Sequence, residues 1–460
     1  MKLDRHFLQD ILKDNDHVVF ENIEPRYLSD TLGRLQGSAE ALVFPTSTRE
    51  VSEVLRHAYE NSIPVTPRGA GTNLVGSTVP LKGGIILDLS RMNRILELDR
   101  ETFTATVEPG VVLEDFQAYV EQEGLFYPPD PGEKTATIGG TISTNAGGMR
   151  AVKYGVTRDY VRGLEIVLAN GEVLNIGSKN VKDASGLSLK NLIIGSEGTL
   201  AVITKCILKL IPKPETSVSA LVPYADLKTG IANVPSIIQA NANPTAIEFV
   251  ERKVIKLGED FLGIEYPRPD AGSYIILTFD GHKAEVDANV ERVKTLVLQN
   301  GALEFMVLDD PAVAADIWKV RGALVKAVEA VSEQDPVDIV VPINQTANFI
   351  AFINQLEQES GMQMVSFGHA GDGNVHLCVV RGDREEAAWQ AELKRNMEKA
   401  YDKAYELGGL TSGEHGIGIS KRHYFLRKTD SANLLVMNQI KDALDARHIL
   451  NDQKSYIIAR

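Results

Sequence analysis

A chain of 460 residues is longer than one ordinary hydrophobic core closes around, so two domains or one large composite domain are expected. Hydrophobic residues at 43% and charged residues at 24% exclude a disordered chain, and 48 Lys and Arg against 62 Asp and Glu leave a net charge of −14 that argues against nucleic acid as a partner. Two cysteines, Cys206 and Cys378, are too few for a four-thiolate iron–sulfur cluster or a disulfide framework, and point to a reducing, cytoplasmic setting.

The first ten residues mix acids into apolar positions and read as an amphipathic helix, not as a signal or transit peptide. No window approaches the ~20 apolar residues of a membrane span, so no integral membrane segment is expected, with peripheral contact left open. Ala41–Phe44 is a short apolar run. Ser47-Thr-Arg-Glu50 opens a helix with a capping-box arrangement, and Val51, Val54, Leu55 and Ala58 form its apolar face. A strand at Ile63–Thr66 leads into Pro67-Arg-Gly-Ala-Gly-Thr-Asn-Leu-Val-Gly76. Strands follow at 84–89 and 104–108, then a helix from about Leu113 to Glu123. From Tyr127 to Gly148, prolines and glycines exclude a long helix or regular strand, and a loop of that length usually has a function.

A hairpin is read at 163–175 around Asn170-Gly171, and an apolar strand at 199–210. Pro212 and Pro214 mark a linker. Beyond it, helices such as 284–300 alternate with strands such as 273–279 in an α+β second domain. It carries Trp318-Lys-Val-Arg321 on a helix and a hairpin-like pair, 364–369 and 374–380. The closing segment begins at Thr411 with Ser412-Gly-Glu-His-Gly-Ile-Gly418 and ends in helices.

Gly69-x-Gly71 after a strand, with Asp88 ending another, imitates a dinucleotide fingerprint. However, position 74 is leucine, and Pro80, Gly83 and Gly84 prevent the crossover helix that such a site needs, so NAD binding is disfavoured. The remaining reading is a nest of backbone N–H groups for an anion, assisted by Thr72, Asn73 and Ser77, against the plainer reading of a turn-rich loop. The segment from Thr135 to Gly148 offers the same chemistry again, and a cofactor with two phosphates would account for both loops.

Taken together, several motifs resemble the FAD-linked oxidases of the vanillyl-alcohol-oxidase flavoprotein superfamily. They are Pro67–Thr72, Glu108-Pro-Gly110, Pro128–Gly132, Thr137–Gly148, Gly195-Ser-Glu-Gly-Thr199, Phe367–His376 and Gly413–Gly418. Within that superfamily the chain is similar to the branch of D-lactate dehydrogenases and glycolate oxidase D-subunits, including bacterial enzymes linked to an electron-transferring flavoprotein. The resemblance implies an α+β fold: an N-terminal helical segment (1–34), a two-subdomain FAD-binding domain (35–214), an inserted α+β cap or substrate domain (215–410) and a C-terminal return (411–460). It places Arg68, Gly69, Ala70, Gly71, Thr72, Asn73, Gly76 and Ser77 around the FAD pyrophosphate. Pro131, Gly132, Thr137, Gly140, Ser143, Asn145, Gly147, Gly148, Glu197, Ile203 and Asn451 complete the pocket. Members with a covalent flavin usually carry a histidine in the first loop. None lies between Pro64 and Pro80, so FAD is expected to be non-covalent. Asp452 departs from the proline that often follows the terminal asparagine.

His369 and His376 flank the turn sequence Gly371-Asp-Gly-Asn374, so a hairpin can bring both imidazoles to one face, although a histidine near a strand is more often structural. With Glu414 they form a ligand set suited to Zn, Mn or Fe, and the resemblance gives all three that role. His415 is the expected base for the hydroxyl proton of a 2-hydroxy acid, with a divalent metal stabilising the alkoxide and FAD accepting the hydride. Arg321 matches the family's clamp for the substrate carboxylate, its plainer reading being a solvated helical arginine. Cys378 lies two residues after His376, on the same strand face, and offers little to a second carboxylate. D-lactate, or another short monocarboxylate, is therefore favoured over D-2-hydroxyglutarate, with glycolate or D-2-hydroxyglutarate oxidation as the alternatives. Electrons must leave to an electron-transferring flavoprotein or another redox partner. A metal-dependent hydrolase and a non-catalytic flavoprotein subunit are the competing readings.

Overall fold

The computed structural model describes residues 3–12 and 15–458, and the chain forms two compact units. The first consists of Met1–Ala146, Val156–Lys213 and Glu414–Arg460, and the second of Gly147–Gly155 and Pro214–Gly413.

The first unit has two principal sheets. In one, the order is Val18–Val19, Ala41–Val43, Ile85–Asp88 and Val65–Arg68, with the second and fourth strands parallel to Ile85–Asp88. The helix Thr48–Glu60 connects the parallel strands, and its predicted apolar face of Val51, Val54, Leu55 and Ala58 is fully buried. Only half of the expected capping box forms. Ser47 Oγ accepts the Glu50 N–H, but the Glu50 carboxylate takes the N–H of Thr46 at 2.6 Å instead of that of Ser47. The leading helix, Arg5–Leu12, buries Leu8, Ile11 and Leu12 in the same cluster as Val54, Val65 and Leu87, so it is part of this core.

The other sheet runs Ile95–Asp99, Thr104–Val107, Val202–Lys209, Val161–Val167 and Val173–Gly177, all antiparallel. The expected hairpin around Asn170-Gly171 pairs Val167 with Val173. Ile95–Asp99 was not read as a strand from sequence. Its side chains are all exposed or half-buried, and Leu-Glu-Leu-Asp gives only a short alternation. The stretch from Tyr127 to Gly148 contains a helix, Ile138–Thr144, capped by Thr137, where only loop was expected.

The second unit is built on a seven-stranded antiparallel sheet. Its order is Met306–Val307, Thr216–Tyr224, Ser273–Gly281, Ala246–Glu251, Met364–His369, Asn374–Val380 and Gln334–Val340. Helices Arg252–Leu262 and Pro311–Val331 cover one face, where Val254, Ile255, Val320 and Leu324 pack with Tyr274, Ile276, Val365 and Phe367. The alternate residues Ile275, Leu277 and Phe279 are equally buried, so the other face is covered as well. No helix among the described residues is long and apolar enough to cross a membrane.

Candidate active site

In the second unit, Met364–His369 and Asn374–Val380 form the predicted hairpin, with Phe367 opposite His376 and His369 opposite Asn374. The histidines are thus diagonal neighbours, and their Nε2 atoms lie 3.2 Å apart. The turn needs Gly373, because its φ is +81° and a Cβ there would collide with the Val341 carbonyl.

Two acids not singled out from sequence organise this pair. Glu248 sits directly opposite His369 on the neighbouring strand, and its Oε1 is 2.6 Å from His369 Nδ1. A carboxylate only accepts, so Nδ1 carries the proton of this bond and Nε2 is the ring nitrogen that faces His376. Glu248 is completely buried. Burial works to raise its pKa, but the charges of His369 and Arg321 and their hydrogen bonds prevail, and the net direction is downward.

Asp338 sits opposite His376, and its carboxylate lies within 4.8 Å of that ring. It accepts from Asn374 Nδ2 and Ser412 Oγ, both at 2.6 Å, and from the Gly413 N–H at 3.1 Å. It therefore fixes the backbone just before Glu414, where the chain enters the other unit. The signal in the sequence was a single charge inside an apolar run on each of two strands, Ala246-Ile-Glu-Phe-Val250 and Val337-Asp-Ile-Val-Val341. Such a charge is buried only with partners.

Arg321 is not a solvated helical arginine: its side chain is 12% exposed and is committed to Glu248, with Nε and Nη2 at 3.0 and 2.6 Å from Oε2. The guanidinium also lies over the Phe367 ring, 5.1 Å from its centroid. Cys378 does share the strand face of His376, but it is packed with Val365, Phe367 and Leu324. It is thus a core thiol, pushed by burial up to about 12, and lines no open pocket. Cys378 therefore does not select against a second carboxylate.

In the first unit the backbone N–H groups of the glycine-rich loop are used within the protein over only part of its length. Among the described residues, no N–H from Ala70 to Leu74 has a hydrogen-bond partner, whereas Asn73 Oδ1 takes the N–H groups of Val75 and Ser77. Arg68 runs beneath the loop, donating to Thr78 Oγ1 and to the Arg26 carbonyl, with Tyr27 against its guanidinium. Gly71, at φ +76°, has no room for a Cβ above that guanidinium.

At the head of the second loop, the N–H groups are used within the protein. The N–H groups of Ile138 and Gly139 go to the carbonyls of Val111 and Pro109, and that of Gly140 goes to Thr137 Oγ1. Thr137 Oγ1 instead sits where a Cβ of Gly69 would be, so the two loops meet there. Ser143 Oγ bonds the Gly139 carbonyl, while Asn145 ends the helix at φ +52° and accepts the Arg158 N–H. Pro131 and Ile203 are buried, and Gly132 has open space around it. Gly147 and Gly148 open the stretch that clusters with the second unit.

Glu197 and Asn451 tie the returning segment to this loop. Glu197 accepts the N–H groups of Ile417 and Gly418 at 2.9 and 2.8 Å, together with the Ser77 hydroxyl. Asn451 Nδ2 donates to the carbonyls of Ser77 and Glu197. Asp452, at the position where proline was the family expectation, forms an ion pair with Lys82. His415 is held beside the loop as well, its carbonyl accepting from Asn73 Nδ2 at 3.2 Å.

Lys454, also missed from sequence, donates to the Ser77 carbonyl and to Asn451 Oδ1, both at 2.8 Å. Burial, opposed by the Glu197 charge, pushes its ammonium down to about 7. The unfolded chain, at ~10.4, binds this proton more tightly across the window from pH 7 to that value, so folding stability rises with pH there. Urea unfolding at pH 7 and pH 9 should show a gain up to about 2 kcal/mol larger in the native protein than in Lys454→Met. Equal gains would show that Lys454 stays charged when buried.

Residues 39–177 match the FAD binding domain family, and residues 213–455 match the C-terminal domain of FAD linked oxidases. The chain belongs to the FAD-linked oxidase family. It is 45% identical to a D-lactate dehydrogenase of Anaerostipes hadrus, over 90% of this chain and 89% of that one. Identity to the glycolate oxidase subunit GlcD of Bacillus subtilis (strain 168) is 37%, over 94% and 92% of the two chains. The crystal structure of p-cresol methylhydroxylase with substrate bound shares the fold, with a TM-score of 0.82 at 18% identity, over 98% of this chain and 96% of the other. As an FAD-linked oxidase, the protein is an oxidoreductase, with the α+β architecture expected from sequence.

Proposed function

We propose that the protein oxidises a short D-2-hydroxy acid, with D-lactate to pyruvate as the preferred reaction, and passes the electrons to an electron-transferring flavoprotein or another redox partner. The observation that carries this reading is the His369–His376 pair in an FAD-linked oxidase: two Nε2 atoms 3.2 Å apart, one ring fixed by a buried carboxylate. Two nitrogens bound to one cation at ~2.1 Å each would be about 3.0–3.4 Å apart, so the pair fits a divalent Zn, Mn or Fe ion, with Glu414 as the third ligand.

The unpaired N–H groups of Ala70 to Leu74 fit the FAD diphosphate. Ser77, Glu197 and Asn451 support this reading less directly, by holding the loop and the returning chain together. Non-covalent FAD is in keeping with the absence of histidine from the loop sequence.

Bound FAD would supply the two-electron acceptor for the hydride leaving C2, and a divalent ion a fixed positive charge beside the substrate oxygens. The chain's own part is to place the acid and take its proton. His415 accepts the hydroxyl proton, its backbone carbonyl anchored by Asn73. Arg321 presents Nη1, the guanidinium nitrogen that Glu248 does not use, to the substrate carboxylate.

With an artificial electron acceptor, kcat/KM for D-lactate should exceed that for L-lactate, glycolate and D-2-hydroxyglutarate by at least about tenfold. A higher value for one of the others would reassign the substrate. Gly71→Ala, strained at positive φ and pressed on Arg68, should bind FAD roughly tenfold more weakly in a flavin titration. Unchanged affinity would remove the first loop from the FAD site.

A further inference from the structure

Glu248 is a fully buried carboxylate whose two oxygens serve two different functional groups. Oε1 holds His369 Nδ1 at 2.6 Å, and Oε2 holds Arg321 through Nε and Nη2. All three residues lie on one sheet and on the helix covering it, so the arrangement belongs to the second unit alone. The strand register places Glu248 opposite His369, and Phe367, two residues earlier on the histidine's strand, supports the Arg321 guanidinium from its ring face.

We infer that Glu248 is a positioning residue that couples metal affinity to recognition of the substrate carboxylate. This rests on the metal reading proposed above. Through Oε1 it fixes the His369 tautomer, leaving Nε2 as the ligating nitrogen. Through Oε2 it occupies the Nε–Nη2 edge of the guanidinium, so that the N–H groups of Nη1 and the second N–H of Nη2 remain to meet a carboxylate.

Neither function can be altered without the other. Removing Arg321 leaves Oε2 without its donors in a site closed to water, and the carboxylate then no longer holds His369 in one orientation. A residue that is not itself a proposed metal ligand is thereby expected to change metal affinity.

The test is Zn²⁺ affinity of FAD-loaded protein, measured by competition with a chromophoric chelator, with the flavin spectrum and Tm reporting on the fold. Wild type should bind one equivalent, and His376→Ala should lose it. Glu248→Gln, which keeps shape but offers only one acceptor, should bind about 10- to 100-fold more weakly, and Arg321→Met roughly fivefold more weakly. Glu248→Gln should also raise KM for D-lactate.

Should wild type hold no Zn²⁺, or His376→Ala hold it as well as wild type, the metal reading falls and takes this inference with it. Loss in His376→Ala alongside affinities within twofold of wild type in Glu248→Gln and Arg321→Met would keep the metal reading and overturn the coupling. Because a buried Gln can impair folding, the tautomer is also read in the wild-type protein by long-range 1H–15N spectra of labelled histidines. A proton on His369 Nδ1 supports the inference, and a proton on Nε2 overturns it.

Discussion

Replacing His415 by asparagine should leave the flavin chromophore in place and slow its reduction by D-lactate about 10²- to 10⁴-fold. The contrast follows from how the residue is held. Its backbone carbonyl accepts from Asn73, and the N–H groups of Ile417 and Gly418 just beyond it are taken by Glu197, so the segment stays in position whatever side chain stands at 415. Asparagine has no basic nitrogen, and the hydroxyl proton then has no acceptor from this position. Rapid-mixing absorbance separates the outcomes: reduction at the wild-type rate would remove His415 from the chemistry, and loss of bound flavin would place it in cofactor binding instead.

Removal of the metal should have an effect of similar size. A cation beside a developing alkoxide contributes several kcal/mol, so exhaustive chelation, or His376→Ala, should lower kcat/KM for D-lactate by about 10²- to 10³-fold. FAD content should not change, because the loop proposed to hold the FAD diphosphate contains neither histidine. Restoration by one added equivalent of Zn²⁺ or Mn²⁺ is expected for the chelated native protein and not for His376→Ala. Full turnover after chelation, with metal absence checked by elemental analysis, would leave the histidine pair as a structural contact.

The elements whose periodicity matches their burial were legible in the sequence. The Thr48–Glu60 helix, the hairpin at Asn170-Gly171 and the hairpin carrying His369 and His376 are examples, because local turn chemistry and one-sided apolar patterning agree with the final packing. The helix Ile138–Thr144 was not legible. Two glycines in its first turn argue against it locally, and it is held by carbonyls of Val111 and Pro109 that no local pattern announces.

The candidate site divides in the same way. Histidine and glycine motifs mark the groups at the surface of the chemistry, whereas the residues that orient them are reached only through strand register. Glu248 stands 121 positions from His369, and Asp338 lies on a strand paired with that of His376. A sequence shows that such a charge is embedded in an apolar run, but the identity of its partner requires the sheet order. Arg68 lies in a motif that suggests contact with a phosphate, and the two hydrogen bonds it makes, to Thr78 and to the Arg26 carbonyl beneath the loop, were not legible in that motif.

The most direct test of the account is the absorbance spectrum of the FAD-loaded protein under anaerobic conditions, before and after D-lactate, with L-lactate as control. Bleaching of the oxidised flavin band by the D isomer, with L-lactate leaving it unchanged, is the result predicted. A flavin band that D-lactate leaves intact, or that both isomers bleach equally, would contradict the assignment as a D-2-hydroxy acid dehydrogenase.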